Sequence, residues 1–254
     1  MNSKPKTIGL IGGMGPYAGL DVLCKIYKNT IAEKDKDHLE VVHISLSSSL
    51  PDRSEFLLGQ TDDNPGEVLA RKLDNKSIDI IGIACNTFHA PAIFDVFVEK
   101  MKAQNESIQI IHLPQEVYKF TNSYYKKSLR IGLLSSLGTA KTKIYKKAFQ
   151  DSSHQLIFLD HKENKEIHRA IYHPEWGIKA IGELSPEANE ILTKQVYCLI
   201  DKGVDSILLG CTELPMVKRH LNCMGLNIID PNLILARALI REVDVNKLTL
   251  VNSL

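Results

Sequence analysis

Two stretches of the chain decide its fold: IIGIACNTFHAP at residues 80–91 and SILLGCTELP at residues 206–215. Each begins with a continuous apolar run and then has a cysteine followed by polar residues. Apolar runs without alternation are typical of strands that are buried on both faces, as in parallel sheets covered by helices. Each stretch therefore predicts a buried parallel strand that ends at a cysteine.

A second pair of stretches lies upstream of the first pair. TIGLIGGMGP at residues 7–16 resembles RIGLLSSLGTAKT at residues 130–142, and both read as a strand, a loop and the start of a helix. In each half the cysteine stretch follows at a similar distance, so the chain looks duplicated. We expect two like α/β halves, each with a cysteine just past the end of a buried strand.

Short β-type runs alternate with longer helical patterns along the chain. The predicted strands span residues 7–11, 40–45, 79–84, 108–112, 130–134, 155–159, 206–209 and 227–230, and the predicted helices span residues 19–33, 64–76, 91–102, 140–151, 186–202 and 231–243. This alternation implies parallel sheets connected by right-handed crossovers. The pattern breaks near residues 114–125, where polar residues cluster, and we place the boundary between the halves there.

The composition excludes several classes of partner. The 254 residues are 44% hydrophobic and 24% charged, and 31 basic and 30 acidic residues give a net charge of +1. This near-neutral balance gives no electrostatic case for binding nucleic acid or an anionic membrane. The N-terminal apolar run is short and broken by glycines, so it predicts neither a signal peptide nor a membrane span. We expect a cytoplasmic protein whose partner is a small molecule.

The five cysteines favour free thiols. Their number is odd and no CxxC spacing occurs, which argues against disulfides and a zinc cluster. Cys24 and Cys198 fall on predicted helices among apolar neighbours and are expected in the core, whereas Cys223 lies near a loop. The histidines between residues 154 and 173 show no ligand spacing, so no metal site is predicted.

Cys85 and Cys211 are the candidate catalytic residues. Ligands of open parallel sheets bind outside the carboxyl ends of the strands, where both cysteines are predicted to lie. A single cysteine there would be read as a small buried hydrophobe, but two in matched contexts favour function. Racemisation needs two acid/base groups on opposite faces of one carbon, and two facing halves would supply them.

Polar groups near the cysteines suit a carboxylate. Asn86, Thr87 and Thr212 offer hydrogen bonds, and the loop at Met14 and Gly15 offers backbone amides. The segment GLIGGMGP does not match GxGxxG, so no dinucleotide cofactor is predicted.

Three further side chains have two open readings each. Arg53 could clamp a carboxylate or be a solvated loop residue, and Lys179 could bind an anion or lie on a helix surface. His89 could tune the Cys85 thiol or fix its loop.

Four segments in order carry a resemblance to a known family: GLIGGMGP at residues 9–16, PDR at 51–53, CNTFH at 85–89 and GCTEL at 210–214. With them the chain resembles the aspartate/glutamate racemase superfamily. Glutamate racemases have His where this chain has Glu213, and they open with Asp-Ser-Gly where this chain has Gly-Met-Gly. Both departures favour the aspartate racemase branch.

The resemblance implies an α/β fold of two pseudo-symmetric Rossmann-like domains with parallel sheets and an active site in the cleft between them. It implies an N-terminal domain of residues 1–117 plus 226–254, which carries Cys85, and a second domain of residues 118–225, which carries Cys211. It also implies a homodimer and catalysis without pyridoxal phosphate, metal or any other cofactor.

The resemblance further assigns roles to the candidate residues. Cys85 and Cys211 become the two acid/base residues. Asn86, Thr87 and Thr212 match positions that hold the α-carboxylate and amino group of the substrate. We also expect Met14, Gly15 and Glu213 in the substrate site. Arg53 matches the residue that recognises the side-chain carboxylate, and Lys179 looks like its second basic ligand.

Several alternatives stay open. The preferred substrate could be aspartate, glutamate or a broad set of amino acids. Hydantoin racemases and maleate isomerases share the strand-end cysteines, whereas arylmalonate decarboxylases keep only one. A small-molecule sensor that has lost turnover would retain Arg53, Thr87 and Thr212 but would not need both thiols.

Overall fold

The computed structural model describes residues 5–74, 77–218 and 225–250. These residues group into two compact α/β units. The first unit contains the described residues up to Leu113 and those from Asn232 onward, and the second contains those from Pro114 to Pro231. Cys223 lies outside the described residues.

The first unit is a parallel four-stranded sheet with helices. Along the chain it contains β1 (Ile8–Gly12), α1 (Pro16–Lys28), β2 (Val41–Ser45), α2 (Arg53–Leu58), α3 (Pro65–Leu73), β3 (Ile80–Ile83), α4 (Pro91–Gln104) and β4 (Gln109–Ile110). The strand order is β2-β1-β3-β4, and all pairs are parallel. Ile8 is in register with Val41 on one side and with Ile80 on the other.

The second unit repeats this architecture. It contains α5 (Leu113–Tyr124), β5 (Arg130–Ser135), α6 (Leu137–Thr142), α7 (Ile144–Ala148), β6 (Gln155–Ile157), α8 (His161–Tyr172), α9 (Ile178–Ile181), α10 (Pro186–Asp201), β7 (Ser206–Gly210) and β8 (Asn227–Ile229). The strand order β6-β5-β7-β8 matches that of the first sheet position by position, again with parallel pairs. The predicted α/β class with two like parallel sheets is confirmed, and all eight predicted strands are present.

The central strands of both sheets are buried along nearly their whole length, as their unbroken apolar runs predict. β1, β3 and β7 are buried at every residue, and β5 is buried at all but its first. Glycines in these strands let helices approach closely. A Cβ on Gly82 of β3 would lie 2.7 Å from the side chain of Leu239, and a Cβ on Gly132 of β5 would lie 2.8 Å from that of Leu199. Helix packing against each sheet therefore depends on a bare backbone at these positions.

The end of the chain differs from the expectation that residues 226–254 all return to the first domain. β8 pairs with β7, with Ser206 in register with Asn227, so this strand completes the second sheet. The following helix, α11 (Pro231–Val243), is grouped with the first unit from Asn232 onward, and its Leu239 packs on Gly82. The physical reason is that the backbone of β8 finds its hydrogen-bond partners on β7, whereas α11 is held by side-chain packing.

Four helices lie where the sequence did not predict them: the short helices α2 and α9, and the longer helices α5 and α8. Residues 114–125, taken as a break in the pattern, belong mostly to α5, whose buried Leu113, Val117 and Thr121 recur every four residues. The polar stretch after residue 160 forms α8, which has a capping box between Asp160 and Glu163. The predicted helix at 140–151 is divided into α6 and α7 at Lys143, whose φ of 55° is left-handed.

Among the residues that the structure describes, no helix is both long enough and apolar enough to cross a membrane.

Candidate active site

Cys85 lies at the carboxyl end of β3, in a turn that is buried throughout. Its amide donates to the carbonyl of Ile83 at 2.9 Å, which bends the chain directly after the strand. A 3-10 turn over Thr87–His89 follows, and Pro91 then begins α4. Asn86 and Thr87 are buried together with Cys85. The structure therefore places Asn86 and Thr87 with Cys85 in one compact, buried turn.

His89 fixes the backbone of this turn. Its Nδ1 lies 2.8 Å from the carbonyl oxygen of Cys85, and its ring stacks on Phe94 and meets His112 edge-on. Burial and, secondarily, the nearby His112 lower the pKa of His89 to about 3, although the carbonyls of Cys85, Ile111 and Asn86 oppose the shift. The ring is therefore neutral near pH 7, and Nδ1 donates its hydrogen to the Cys85 carbonyl. Of the two readings of His89, the observed contact corresponds to loop fixation.

Arg53 is tied to the loop that follows β1. It is the first residue of α2, whose N-cap Asp52 accepts hydrogen bonds from the amides of Ser54 and Glu55. The Arg53 side chain donates through Nη2 to the carbonyl of Met14 and through Nη1 to that of Pro51, both at 3.2 Å. Arg53 is 8% exposed, which argues against the alternative that it is a solvated loop residue.

The Met14 loop and Arg53 also lie near the Cys85 turn. Met14 and Cys85 belong to the same cluster of buried side chains, and α2 packs against the turn at Thr87–His89. Gly15 is the N-cap residue of α1 and has an extended backbone. The first unit thus brings together one cysteine, one guanidinium and the loop amides that the sequence singled out.

Cys211 occupies the equivalent position in the second unit, directly after β7. The amide of Leu214 donates to the Cys211 carbonyl at 3.0 Å, and a 3-10 turn over Leu214–Val217 follows. Cys211 and Thr212 are both buried. Here the sulfur itself has a polar partner, because the thiol donates to Oε2 of Glu213 at 3.0 Å.

Lys179 and Glu213 form an ion pair next to this thiol. Nζ of Lys179, on α9, contacts Oε1 of Glu213, the carboxylate oxygen that does not accept from Cys211. The ammonium also lies 5.2 Å from the ring centroid of Tyr172 on α8. Glu213 is 1% exposed. Lys179, which the resemblance assigned to a substrate carboxylate, is therefore engaged by a carboxylate of the protein.

The surroundings of Cys211 favour its protonated form. Burial and then the charge of Glu213 raise the pKa of the Cys211 thiol well above its usual range, and Lys179 acts in the opposite direction. Tyr145 on α7 is also buried, and burial and then Cys211 raise the pKa of its phenol. Sequence reasoning missed Tyr145, since nothing marked it within a predicted helix.

A second set of polar groups missed from the sequence lies at the end of β5. Ser135, Ser136 and Thr139 are buried, and Ser136 is the N-cap residue of α6. They lie at or just after the end of the first strand of the second unit, as Gly12 to Gly15 do in the first. The internal duplication was the signal that could have found them, because it aligned SSLGT with GGMGP.

Cys24 and Cys198, the other two cysteines among the described residues, take no part in these turns. Cys24 is exposed, which corrects the expectation of a core position: α1 buries its other face through Ala18, Val22 and Ile26. Cys198 is partly buried against the second core. Across residues 5–74, 77–218 and 225–250, no group of three or more His, Cys, Asp or Glu side chains could hold a metal ion.

A family model described as Asp/Glu/Hydantoin racemase matches residues 11–239. The chain belongs to this racemase family. The match spans both sheets and both cysteines, and it confirms the resemblance found in the sequence motifs.

Individual relatives are similar over nearly the whole chain. A broad specificity amino-acid racemase, RacX, of Bacillus subtilis (strain 168) is 24% identical over 245 residues, which cover 91% of this chain and 95% of that protein. The structure of the Picrophilus torridus aspartate racemase matches with a TM-score of 0.76 and 26% identity, and 94% of each chain is covered. The glutamate racemase of Francisella tularensis in complex with D-glutamate shares the fold, with a TM-score of 0.67 at 16% identity over 98% of this chain and 85% of that one.

Proposed function

We propose that this chain is a cofactor-independent amino-acid racemase that moves the α-proton of an acidic amino acid between Cys85 and Cys211. The observation that carries the proposal is the repeated position of the two thiols. Each is buried within two residues of the end of the third strand of its unit, β3 or β7, in sheets of identical strand order. Carboxyl ends of parallel strands are where such sheets bind ligands.

The reaction requires one cysteine as thiolate and the other as thiol. The thiolate sulfur takes the α-proton, so that the C–H bond breaks, an S–H bond forms and the electron pair stays on the α-carbon. The second thiol then gives its proton to the opposite face of that carbon, and the two sulfurs exchange protonation states. The scheme demands that both sulfurs reach one α-carbon from opposite sides.

Stabilising the carbanion is the harder part of the chemistry, because an amino-acid α-proton is very weakly acidic. We assign this task to hydrogen-bond donors near the carboxyl ends of the strands. Asn86, Thr87 and Thr212 are buried polar residues that directly follow the two cysteines. Donors fixed in a buried site stabilise developing charge more strongly than water does.

Arg53 supports a substrate with a second carboxylate. Its guanidinium is buried near the Cys85 turn and already donates to two carbonyl oxygens, which hold it in a defined orientation. A planar guanidinium suits bidentate binding of a carboxylate. Aspartate is therefore our first candidate, and glutamate is the second. We also propose a homodimer, which light scattering of the purified protein tests.

Proton NMR in heavy water tests the function directly. The reduced protein, without added cofactor, is incubated separately with L-aspartate, L-glutamate, several neutral amino acids, a 5-substituted hydantoin and maleate. We expect loss of the α-proton signal of aspartate or glutamate, followed by appearance of the D-enantiomer on chiral chromatography. The Cys85→Ala/Cys211→Ala double variant is the control for adventitious exchange.

Two outcomes would contradict the proposal. Exchange of the hydantoin alone would favour hydantoin racemisation, the activity that also appears in the family description. No turnover of any compound by a folded, reduced sample would favour a ligand-binding protein that has lost catalysis.

A further inference from the structure

The two thiols differ in what contacts the sulfur. The Cys211 thiol donates to Oε2 of Glu213 at 3.0 Å, and the other oxygen of that carboxylate pairs with Lys179. Cys85 is contacted through its backbone carbonyl by His89, a ring that is neutral near pH 7. A carboxylate therefore contacts the sulfur of Cys211, whereas the corresponding contact at Cys85 is made by a neutral ring to the backbone.

Charge and burial determine what this carboxylate does. Glu213 is 1% exposed, so water screens its charge little. An ionised carboxylate can only accept from the thiol, and it repels the thiolate. Lys179 offsets part of the cost of burying the carboxylate, and its ammonium contacts the carboxylate oxygen that does not accept from the sulfur. The third titratable group near Cys211 in the described part of the chain is the phenol of Tyr145.

We infer that Glu213 is a positioning residue that holds Cys211 as the proton-bearing thiol of the resting protein, and that Lys179 limits how strongly it does so. The assignment of this thiol to the reaction depends on the proposed function. In that reaction Cys211 is the proton donor of the resting form, and Cys85 must be the proton acceptor. The role of Lys179 is then to neutralise Glu213 rather than to bind the substrate.

The inference makes an ordered prediction for three variants. Glu213→Gln keeps the shape but removes the charge and leaves the Lys179 cation uncompensated, so the thiolate is favoured. Glu213→Gln/Lys179→Met removes both charges and should recover part of the shift. Glu213→Asp restores the charge on a shorter side chain and should lie closest to the unaltered protein.

Alkylation by iodoacetamide as a function of pH measures the thiolate without any substrate. Peptide mass spectrometry gives separate rates for Cys211 and Cys85 in each sample, so Cys85 is an internal reference. In Glu213→Gln we expect the midpoint for Cys211 to fall by about one pH unit or more, with the double variant intermediate. Glu183→Gln, which removes an exposed charge from the same unit, should leave the midpoint in place.

Loss of structure would give a different result from loss of charge. If Glu213→Gln only loosened the loop, Cys211 would react faster at every pH with no shift of the midpoint, and circular dichroism or the melting temperature would change. An unchanged midpoint for Cys211 in a folded Glu213→Gln protein would overturn the inference, as would a midpoint in the double variant below that of Glu213→Gln.

The pH profile of racemisation connects the thiol to turnover. Loss of the essential thiol sets the alkaline limb of kcat/KM, so this limb should move to lower pH in Glu213→Gln by the same amount as the alkylation midpoint. A shifted midpoint with an unmoved limb would overturn the catalytic half of the inference. A shifted midpoint without any turnover in the unaltered protein would instead mean that the proposed function has failed.

Discussion

The Cys85 turn and the Cys211 turn occupy the same place in the same topology, yet their polar contacts have diverged. Both cysteines follow the third strand of a parallel sheet and precede a 3-10 turn. In the first unit a neutral histidine holds the backbone, whereas in the second an ionised pair acts on the sulfur. Duplication therefore explains the positions of the thiols, and the side chains around them explain how they differ.

The loops that follow β1 and β5 differ in a similar way. In the first unit the loop contains Gly13, which has a φ of 91° and whose backbone lies close to the backbone of Leu46 and Ser47, after β2. The second unit has Ser136 as the side-chain cap of α6. One loop therefore relies on backbone conformation and the other on a side-chain hydrogen bond.

The largest expected effect comes from removing either thiol. Cys85→Ala and Cys211→Ala should each lower racemisation by about 10³-fold or more, because each removes an obligatory proton-transfer group. In the two-base scheme the remaining cysteine can still take a proton from one face. We therefore expect residual α-proton exchange in heavy water without inversion, for opposite enantiomers in the two variants.

Chiral chromatography and proton NMR on both enantiomers check this prediction. Cys24→Ala is the matched control, because Cys24 is an exposed thiol on α1. Near-normal inversion by either single variant would show that one of the turns is not part of the chemistry.

The comparison also shows what the sequence could predict. Both cysteine turns could be predicted, because an unbroken apolar run followed by a polar residue marks the end of a buried strand. The ion pair between Lys179 and Glu213 could not be predicted, since it joins residues 34 positions apart through the packing of a four-residue helix. Helices α5 and α8 were missed because their buried faces are narrow and include polar residues such as Thr121 and Asn164.

Gly13→Ala should weaken the first unit by about 3 kcal/mol. Gly13 has a positive φ, and an added Cβ would lie 2.5 Å from the backbone nitrogen of Leu46, which cannot move aside cheaply. Gly59→Ala is the control, because Gly59 also has a positive φ but nothing lies within 4 Å of its added Cβ. That variant should cost about 1 kcal/mol.

Amide hydrogen exchange on peptides from each unit measures these losses separately. Peptides of the second unit are the internal reference. Equal losses for Gly13→Ala and Gly59→Ala would mean that backbone conformation alone, without the close contact at Leu46, accounts for the glycine.

Arg53→Ala should reduce kcat/KM for aspartate by about 10- to 100-fold, the size expected for a charge-assisted hydrogen bond. The kcat/KM for a neutral amino acid of similar size should fall much less. Lys179→Met should lower kcat/KM for both substrates by the same factor, since we place Lys179 next to Glu213 and Cys211 rather than against the side-chain carboxylate of the substrate. Steady-state kinetics on both substrates check the contrast.

Arg53→Lys refines the result, because it keeps the charge but loses the planar fork. If Arg53→Ala lowers kcat/KM equally for aspartate and for the neutral analogue, Arg53 has only the structural role of holding the Met14 carbonyl. A loss for Lys179→Met confined to acidic substrates would return Lys179 to substrate recognition.

The smallest expected effect is a pH-dependent loss of stability at the Cys85 turn. Burial keeps the pKa of His89 at about 3 in the folded protein, while an unfolded histidine titrates near 6.5. Between these values the unfolded state binds the proton and the folded state does not, so stability falls as pH falls below about 6.5. From pH 7.5 to pH 5 the loss due to His89 should be about 2 kcal/mol.

Comparing the protein with its His89→Gln variant isolates this contribution from other titrating groups. Opening free energies of first-unit peptides are measured by hydrogen exchange at both pH values, with correction for the intrinsic exchange rate. We expect the unaltered protein to lose more stability on acidification than the variant, because glutamine does not titrate. Parallel losses would show that His89 becomes protonated without unfolding, and the turn at Cys85 would then not depend on a neutral ring. In that case the two cysteine turns would both be held by charged groups, and the difference between them would lie only in which atom of the cysteine is contacted.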